Sequence, residues 1–165
     1  MKRLILAGLM LAVCCGGFSS AQEASDSPTQ EELMARAIEL ATPGEEHKML
    51  EKLCGVWDFE ATMWMQPGAE PVVYPGKSEA KLVLGGRFLY GEFTTEAGEL
   101  SGEGIYIMGF DRWREEFTYV GFDSWGTYYL TAAGTYDSVT NSITLYGEDD
   151  DPVTGYAQQY DFVVT

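Results

Sequence analysis

The side chains best suited to catalysis or metal binding are a single histidine, His47, and a cysteine seven residues later, Cys54. Zinc sites need three or four protein ligands, and the sequence places no third ligand beside these two. We therefore predict no metal site. His47 is a candidate ligand-binding residue, general base or axial haem ligand, although a hydrogen-bonded side chain on a helix face is the simpler interpretation.

Arg87 is the basic residue with the most suggestive setting, because it follows Gly85 and Gly86 and precedes an apolar, strand-like run. Two glycines in such a run predict a bulge that redirects the next side chain. Our hypothesis is that Arg87 points inward and binds the carboxylate or phosphate head group of a ligand, since a guanidinium stays protonated and donates two hydrogen bonds at once. An outward Arg87 paired with a surface carboxylate is the alternative.

Aromatic residues make up 13% of the chain and recur in its strand-like runs. Trp57, Tyr90 and Tyr119 fall where alternation would aim side chains at a common interior. The interior of a small barrel is either filled by side chains or holds one ligand. We predict that these three residues form the walls of an apolar or amphipathic pocket, with a fully packed interior as the alternative.

The sequence carries no motif that names a reaction or requires a cofactor. It lacks a Gly-x-Ser-x-Gly elbow, a phosphate-binding glycine loop and a distinctive pair of catalytic carboxylates. The carboxylates of residues 148–151 are of the kind that calcium prefers, but they lack EF-hand spacing and match an ordinary acidic turn. Neither haem nor calcium is required, and whether the protein is an enzyme stays open.

Two helices are predicted before any strand. Ser27 followed by Pro28 is typical of a helix start, and the first helix would run to about Ala41 with Leu33, Ala37 and Leu40 on one side. The second helix would span about residues 43–53 and end at Gly55. His47, Leu50 and Cys54 would share one of its faces.

After Gly55 the hydrophobic period changes from that of a helix to that of a strand, beginning with Trp57 and Phe59. The prolines and glycines of residues 66–76 predict a long loop. Further strand-like runs lie at about 78–84, 87–95, 102–110, 116–123, 127–136, 142–148 and 156–165. Short turns and the absence of intervening helices indicate an antiparallel meander, and a meander of this length must curl or close into a barrel.

Composition limits the function classes. The chain has 165 residues, a formal charge of −16 and 45% hydrophobic residues. That length suits one domain, and the hydrophobic content excludes general disorder. The negative charge argues against nucleic acid and against anionic membrane surfaces as partners.

The N-terminus is typical of a signal peptide. Lys2 and Arg3 precede a short apolar run and small residues that end at Ala21. We predict cleavage after Ala21 and export to the periplasm or beyond, with lipidation at Cys14 as the alternative. Export would leave 8 of the 10 basic residues against 26 acidic ones, a charge of −18, and a mature chain with no transmembrane segment. The expected organisation is a signal peptide at 1–21, a leader with the first helix at 22–42, and a barrel domain at 43–165.

Several motifs follow one another in a distinctive order: Glu46-His47-Lys48, Gly55-x-Trp57, Leu84-Gly85-Gly86-Arg87-Phe88-Leu89, Gly109-Phe110-Asp111, Gly134-Thr135-Tyr136-Asp137 and Asp151-Pro152-x-Thr154-Gly155. This set resembles the bacterial family catalogued as domain of unknown function 1579, over about residues 43–165. The resemblance implies a lipocalin-like, calycin-type barrel with a short helix near one mouth, and it implies no established reaction. Family members usually continue further, so we expect this chain to lack the last strands.

These observations combine into one hypothesis with two alternatives. The protein is expected to be an exported, mainly β, up-and-down barrel that binds a small hydrophobic or amphipathic molecule in its lumen. The expected ligand-binding residues are Trp57, Arg87, Tyr90, Tyr119 and His47. A hydrolase that uses His47 or an interior carboxylate as general base, and a packed interaction module without a ligand, are the alternatives; the sequence does not indicate an oligomeric state.

Overall fold

The computed structural model describes residues 27–64, 68–96, 98, 101–152 and 154–165. The predicted signal peptide and the start of the leader lie outside these residues. Two helices precede eight strands: α1 (Gln30–Ala41), α2 (Glu45–Glu51), β1 (Gly55–Met63), β2 (Val72–Val83), β3 (Phe88–Thr95), β4 (Gly102–Asp111), β5 (Glu116–Asp123), β6 (Tyr129–Asp137), β7 (Ser142–Asp150) and β8 (Ala157–Val164).

All eight strands form one sheet in chain order, each antiparallel to the next. The predicted mainly β, up-and-down meander is therefore confirmed. The sheet curls into a half-barrel. Within the described residues β1 pairs with β2 alone and β8 with β7 alone, so the sheet has two edges where a closed barrel has none.

Two element boundaries differ from prediction. β2 begins at Val72, inside the predicted loop, and includes Pro75 and Gly76. The capping box of α1 is formed by Thr29 and Glu32, not by Ser27. Pro75 and Gly76 do not interrupt β2, because pairing with β1 and β3 stabilises the strand on both sides. Ser27 does not cap α1, because Thr29 and Glu32 form reciprocal hydrogen bonds there.

Alternation along the strands divides the sheet into two faces. We call the inner face the one that packs around the buried core, and the outer face its opposite. Leu50 of α2 inserts at one end of the inner face and is fully buried. The buried core consists of Leu50, Ala80, Leu89, Met108, Phe117, Ala132, Ile143 and Leu145.

Aromatic rings lie over glycines of neighbouring strands on the inner face. Gly91 pairs with Tyr106 in the β3–β4 register, and a Cβ at Gly91 would lie 2.1 Å from Tyr106 Cζ. At Gly76 a Cβ would lie 2.3 Å from Cζ of its partner Phe59. The same arrangement joins Phe93 to Gly104 and Tyr160 to Gly147. Each missing side chain makes the space in which a ring packs flat against the sheet.

The Gly91–Tyr106 contact predicts that Gly91→Ala destabilises the protein by about 1–3 kcal/mol, because the new methyl group overlaps a ring held in place by its neighbours. Urea denaturation measures this change in the free energy of unfolding. In a Tyr106→Leu background the ring is absent, so Gly91→Ala should cost much less there. An equal cost in both backgrounds would show that the ring is not the reason for this glycine.

Candidate functional site

α2 covers one end of the half-barrel, which we call the helix end, and it contacts β2, β3 and β4. His47 is 8% exposed there, and its Nδ1 accepts a hydrogen bond from the Gly44 backbone N–H at 3.0 Å. The ring meets Phe110 edge-on, with centroids 6.1 Å apart. Cys54 is half-buried against the same core, and its Sγ lies 3.8 Å from the Leu50 carbonyl oxygen. His47 thus has a defined role in holding the start of α2.

The surroundings of His47 keep its ring neutral. Burial lowers the pKa of His47 below its ordinary value, and the positive charges of Arg112 and Arg87 lower this pKa further, while Glu46 opposes them. Nδ1 must be unprotonated to accept this hydrogen bond, so the imidazole is neutral in the folded protein.

Arg87 does not point into the half-barrel. Its side chain is exposed, its Nε donates to the Ala41 carbonyl at 3.1 Å, and a terminal nitrogen donates to the Leu84 carbonyl at 3.1 Å. The prediction of an interior head-group anchor is therefore wrong. Gly85 and Gly86 have positive φ angles and form the β2–β3 turn instead of a strand bulge, which directs Arg87 to the end of α1.

Arg112, in the β4–β5 turn, binds the same end of α1. It donates to the Glu39 carbonyl, and to the Thr42 carbonyl at 2.9 Å. The last turn of α1 has no basic residue of its own, so two arginines from sheet turns satisfy its terminal carbonyls. Sequence analysis treated Arg112 only as a turn residue, because a contact across 70 residues has no local signal.

α1 has no buried residue. On the apolar side predicted for α1, Leu33 is 56% exposed and Ala37 is exposed, whereas Leu40 is half-buried. The described polar attachments of α1 are the hydrogen bonds of its C-terminal carbonyls to Arg87 and Arg112 and the ion pair between Glu39 and Arg112 at 4.0 Å.

Trp57 and Tyr119 both lie on the inner face, at different depths. Trp57 belongs to the edge strand β1, is 46% exposed, and donates from Nε1 to the Leu53 carbonyl at 2.9 Å. Tyr119 stacks between Tyr106 and Phe162, with centroid distances of 5.7 and 4.6 Å. Burial raises the pKa of Tyr119 far above its ordinary value. The middle of the inner face is thus filled by stacked rings.

Tyr90 lies on the outer face, so the prediction that it forms an interior wall is wrong. Its ring lies 5.8 Å from Lys81 Nζ, and its hydroxyl donates to Glu92 at 2.9 Å, which raises the pKa of Tyr90. Leu89 takes the inner position beside it. Consecutive apolar residues at 88–90 do not reveal which of them points inward, since both faces of β3 carry rings.

A second cluster of rings lies at the far end, meaning the end of the half-barrel away from α2. Phe59 and Phe93 meet edge-on with centroids 6.2 Å apart, and Trp125 lies 6.3 Å from Phe93. Trp125 also covers Gly102, where a Cβ would lie 2.5 Å from its ring. We call Phe59, Phe93 and Trp125 the far-end cluster.

Two buried hydroxyl groups lie beside this cluster without a hydrogen-bond partner. Tyr74 is 8% exposed and Thr95 is 6% exposed, and neither Tyr74 Oη nor Thr95 Oγ1 has a partner within the described residues. Thr95 is opposite Gly76, two residues from Tyr74 on the same face, so the two side chains are diagonal neighbours across β2 and β3. A buried hydroxyl without a partner costs about 1–3 kcal/mol, so a water molecule or a polar group of a ligand is the expected partner of this pair.

Sequence analysis missed both residues. Tyr74 fell inside the predicted loop, and Thr95 stood at a strand end with no motif around it. The available signal was weak: from Tyr74 to Ala80, small or aromatic residues alternate with charged ones and Pro75, which is a strand pattern despite the proline.

Metal-binding geometry is not found in the described part of the chain, where no group of three or more His, Cys, Asp or Glu side chains converges. At the end of β7, Asp149 accepts from the Asp150 N–H at 2.8 Å, and in the turn that follows, Asp151 accepts from the Thr154 N–H at 2.7 Å. Among the described helices none is long and apolar enough to cross a membrane.

The profile of the family described as "Protein of unknown function (DUF1579)" matches residues 42–165. The chain belongs to this family. The resemblance predicted from its motifs is therefore confirmed, over nearly the same residues. Searches of curated proteins and of solved structures each found no match.

The two arginines predict how α1 is held in this DUF1579 protein. Arg87→Met with Arg112→Met should remove the arginine donors from the carbonyls of Glu39, Ala41 and Thr42, and lower the hydrogen-exchange protection of residues 30–41 by about tenfold. Arg114→Met is the matched control, since Arg114 binds Asp111 in the same turn and makes no described contact with α1. Equal loss of protection in the control would contradict the prediction.

The lowered pKa of His47 predicts that the free energy of unfolding depends on pH. Its pKa is lowered in the folded protein, so the unfolded chain takes up a proton first as pH falls, and stability should decrease from about pH 7.5 to about pH 5.5. Urea denaturation at both pH values gives the free energies of unfolding. His47 is the only histidine, so His47→Gln should reduce this decrease; the same decrease in the variant would assign it to other groups.

Proposed function

We propose that the inner face at the far end binds a small amphipathic molecule. The far-end cluster would hold its apolar body, and the hydroxyls of Tyr74 and Thr95 would bind its polar group. The observation that carries this proposal is the pair of buried hydroxyls that have no partner in the part of the chain that the structure describes. Aromatic walls with a few convergent polar groups are typical of small-molecule sites.

The chemistry of the site favours a neutral polar group on the ligand. Tyrosine and threonine hydroxyls both donate and accept, so they suit an alcohol, a carbonyl or an amide. The described lysines and arginines lie on the helices, on the outer face or in turns at the helix end, and none of them is on the inner face of a strand. A carboxylate or phosphate head group would therefore meet no cation at this site, and the charge of −16 would repel it.

The hydrolase alternative receives less support. His47 lies at the helix end, where its Nδ1 accepts a hydrogen bond from the Gly44 N–H, whereas the hydroxyls of Tyr74 and Thr95 lie at the far end. Asp123 is a carboxylate on the inner face near the far end, but its Oδ1 accepts from the Trp125 backbone N–H at 3.0 Å. Within the described residues neither group is hydrogen-bonded to the hydroxyl of Tyr74 or Thr95, so no general base is paired with these hydroxyls. The packed-module alternative would leave the two hydroxyls unexplained.

Export is part of the same proposal and is supported by the N-terminal sequence alone. Two basic residues, a short apolar run and small residues before Ala21 are typical of secreted proteins. A binding protein outside the cytoplasm would meet such amphipathic molecules in water, where a high negative charge keeps it soluble.

Two probes of equal shape test the site. 1-Naphthol carries a hydroxyl where 1-methylnaphthalene carries a methyl group, so only the first can satisfy Tyr74 and Thr95. We expect 1-naphthol to bind more tightly, with a preference of about tenfold, which corresponds to one good hydrogen bond. NMR titration measures both affinities and reports whether the Trp125 indole N–H shifts.

The variant Tyr74→Phe with Thr95→Val keeps the shape of the site and removes both hydroxyls. It should abolish the preference for 1-naphthol and leave the affinity for 1-methylnaphthalene nearly unchanged. Its stability should be equal to or above that of the native protein, because no described hydrogen bond is lost. An unchanged preference in this variant, or binding without any shift at Trp125, would overturn the proposal.

A further inference from the structure

A groove of about 660 Å³ lies on the outer face, across strands β1–β5. Of the residues in the proposed ligand site, Phe93 also lines this groove, whereas Tyr74, Thr95, Phe59 and Trp125 do not. Apolar side chains lie at its two sides and carboxylates lie in its middle. The side chains that matter here are Val56, Glu79, Glu92, Glu103, Ile105 and Phe122.

Five of these residues form one row across the sheet. Strand pairing places Val56 opposite Glu79, Glu79 opposite Glu92, Glu92 opposite Ile105, and Ile105 opposite Phe122. Neighbouring strands are about 4.8 Å apart, so the row extends over about 19 Å. An extended peptide covers this length with about six residues, whereas a small head group would touch only part of it.

The carboxylates in the row lack a compensating cation. Glu79 and Glu92 are direct cross-strand partners, an arrangement in which like charges destabilise the sheet. Lys77 also lines the groove, but it is paired with Asp58 at 2.7 Å. Among the ion pairs of the described residues, none includes Glu79, Glu92 or Glu103.

The apolar side chains in the row are open to solvent. Val56 is 74% exposed, Phe122 42% and Ile105 38%. Glu92 accepts a hydrogen bond from the Tyr90 hydroxyl, but neither Glu79 nor Glu92 has an ion pair within the described residues. These two carboxylates between exposed apolar side chains make a surface that is complementary to a segment with basic residues between apolar ones.

We propose that this groove docks a basic, amphipathic segment of a partner protein. Lysine or arginine side chains of the partner pair with Glu79 and Glu92, and its apolar side chains cover Val56 on one side and Ile105 with Phe122 on the other. A second copy of this chain has a charge of −16 and would be repelled by the acidic groove. An anionic membrane would be repelled for the same reason.

Three synthetic peptides, each about eight residues long, test the proposal against the full chain. The first alternates lysine with leucine or phenylalanine, the second replaces every lysine by glutamate, and the third replaces every apolar residue by serine. Calorimetry measures affinity, and NMR amide shifts locate the site. We expect only the first peptide to bind tightly, with shifts in residues 77–79, 92–94 and 103–105 and with weaker binding at high salt.

Glu79→Gln with Glu92→Gln should weaken binding of the first peptide by about tenfold, because each carboxylate binds a cation in a partly desolvated groove. Glu31→Gln with Glu51→Gln is the matched control, since it removes the same charge from the exposed faces of the helices. Removing like charges that face each other should also stabilise the sheet, so the groove variant is expected to fold.

Four results would overturn the proposal. The control variant could weaken binding as much as the groove variant, which would assign the effect to net charge. The lysine–serine peptide could bind as tightly as the first, which would leave no role for Val56, Ile105 and Phe122. The shifts could fall on Trp125 and Thr95, which would place the peptide in the inner-face site. Self-association of the chain in ultracentrifugation, competing with the peptide, would assign the groove to a second copy instead.

Discussion

Aromatic rings that pack over glycines fix the curvature of this sheet. A meander joined by short turns has little to fix its curvature apart from its side chains. In this protein the rings of Phe59, Tyr106 and Tyr160 each lie against a glycine on the next strand. The missing side chains let the sheet curl tightly, and the rings supply the apolar surface that a small half-barrel must bury.

This packing gives the two ends of the half-barrel different properties. At the helix end Leu50 closes the core, His47 is hydrogen-bonded, and Arg87 and Arg112 satisfy the carbonyls of α1. Polar groups there have partners, which is the mark of a structural region. At the far end two buried hydroxyls have no partner within the described residues, beside rings that are otherwise well packed. That contrast, more than any single residue, is why ligand binding is assigned to the far end.

The two faces of the sheet differ in the same way. The inner face buries its rings, whereas the outer face keeps apolar and acidic residues side by side in water. Glu79 opposite Glu92 is a local conflict, and natural sequences tend to retain such conflicts at functional sites. A small molecule on one face and a basic segment on the other would not compete for space, so both proposals can hold in one domain.

The family, the order of the elements and the antiparallel meander can be predicted from the sequence, because motif order, hydrophobic periodicity and turn residues are local signals. The shared helix face of His47 and Leu50 can be predicted in the same way. The direction of Arg87, the outward position of Tyr90 and the burial of Tyr74 and Thr95 follow from the folded arrangement of the strands. Those outcomes depend on contacts between residues far apart in the chain, such as Arg112 with Thr42, and on which parity of a strand faces the core. Local sequence patterns predict neither the long-range contacts nor the inward-facing parity, because both arise when the strands pair and the sheet curls.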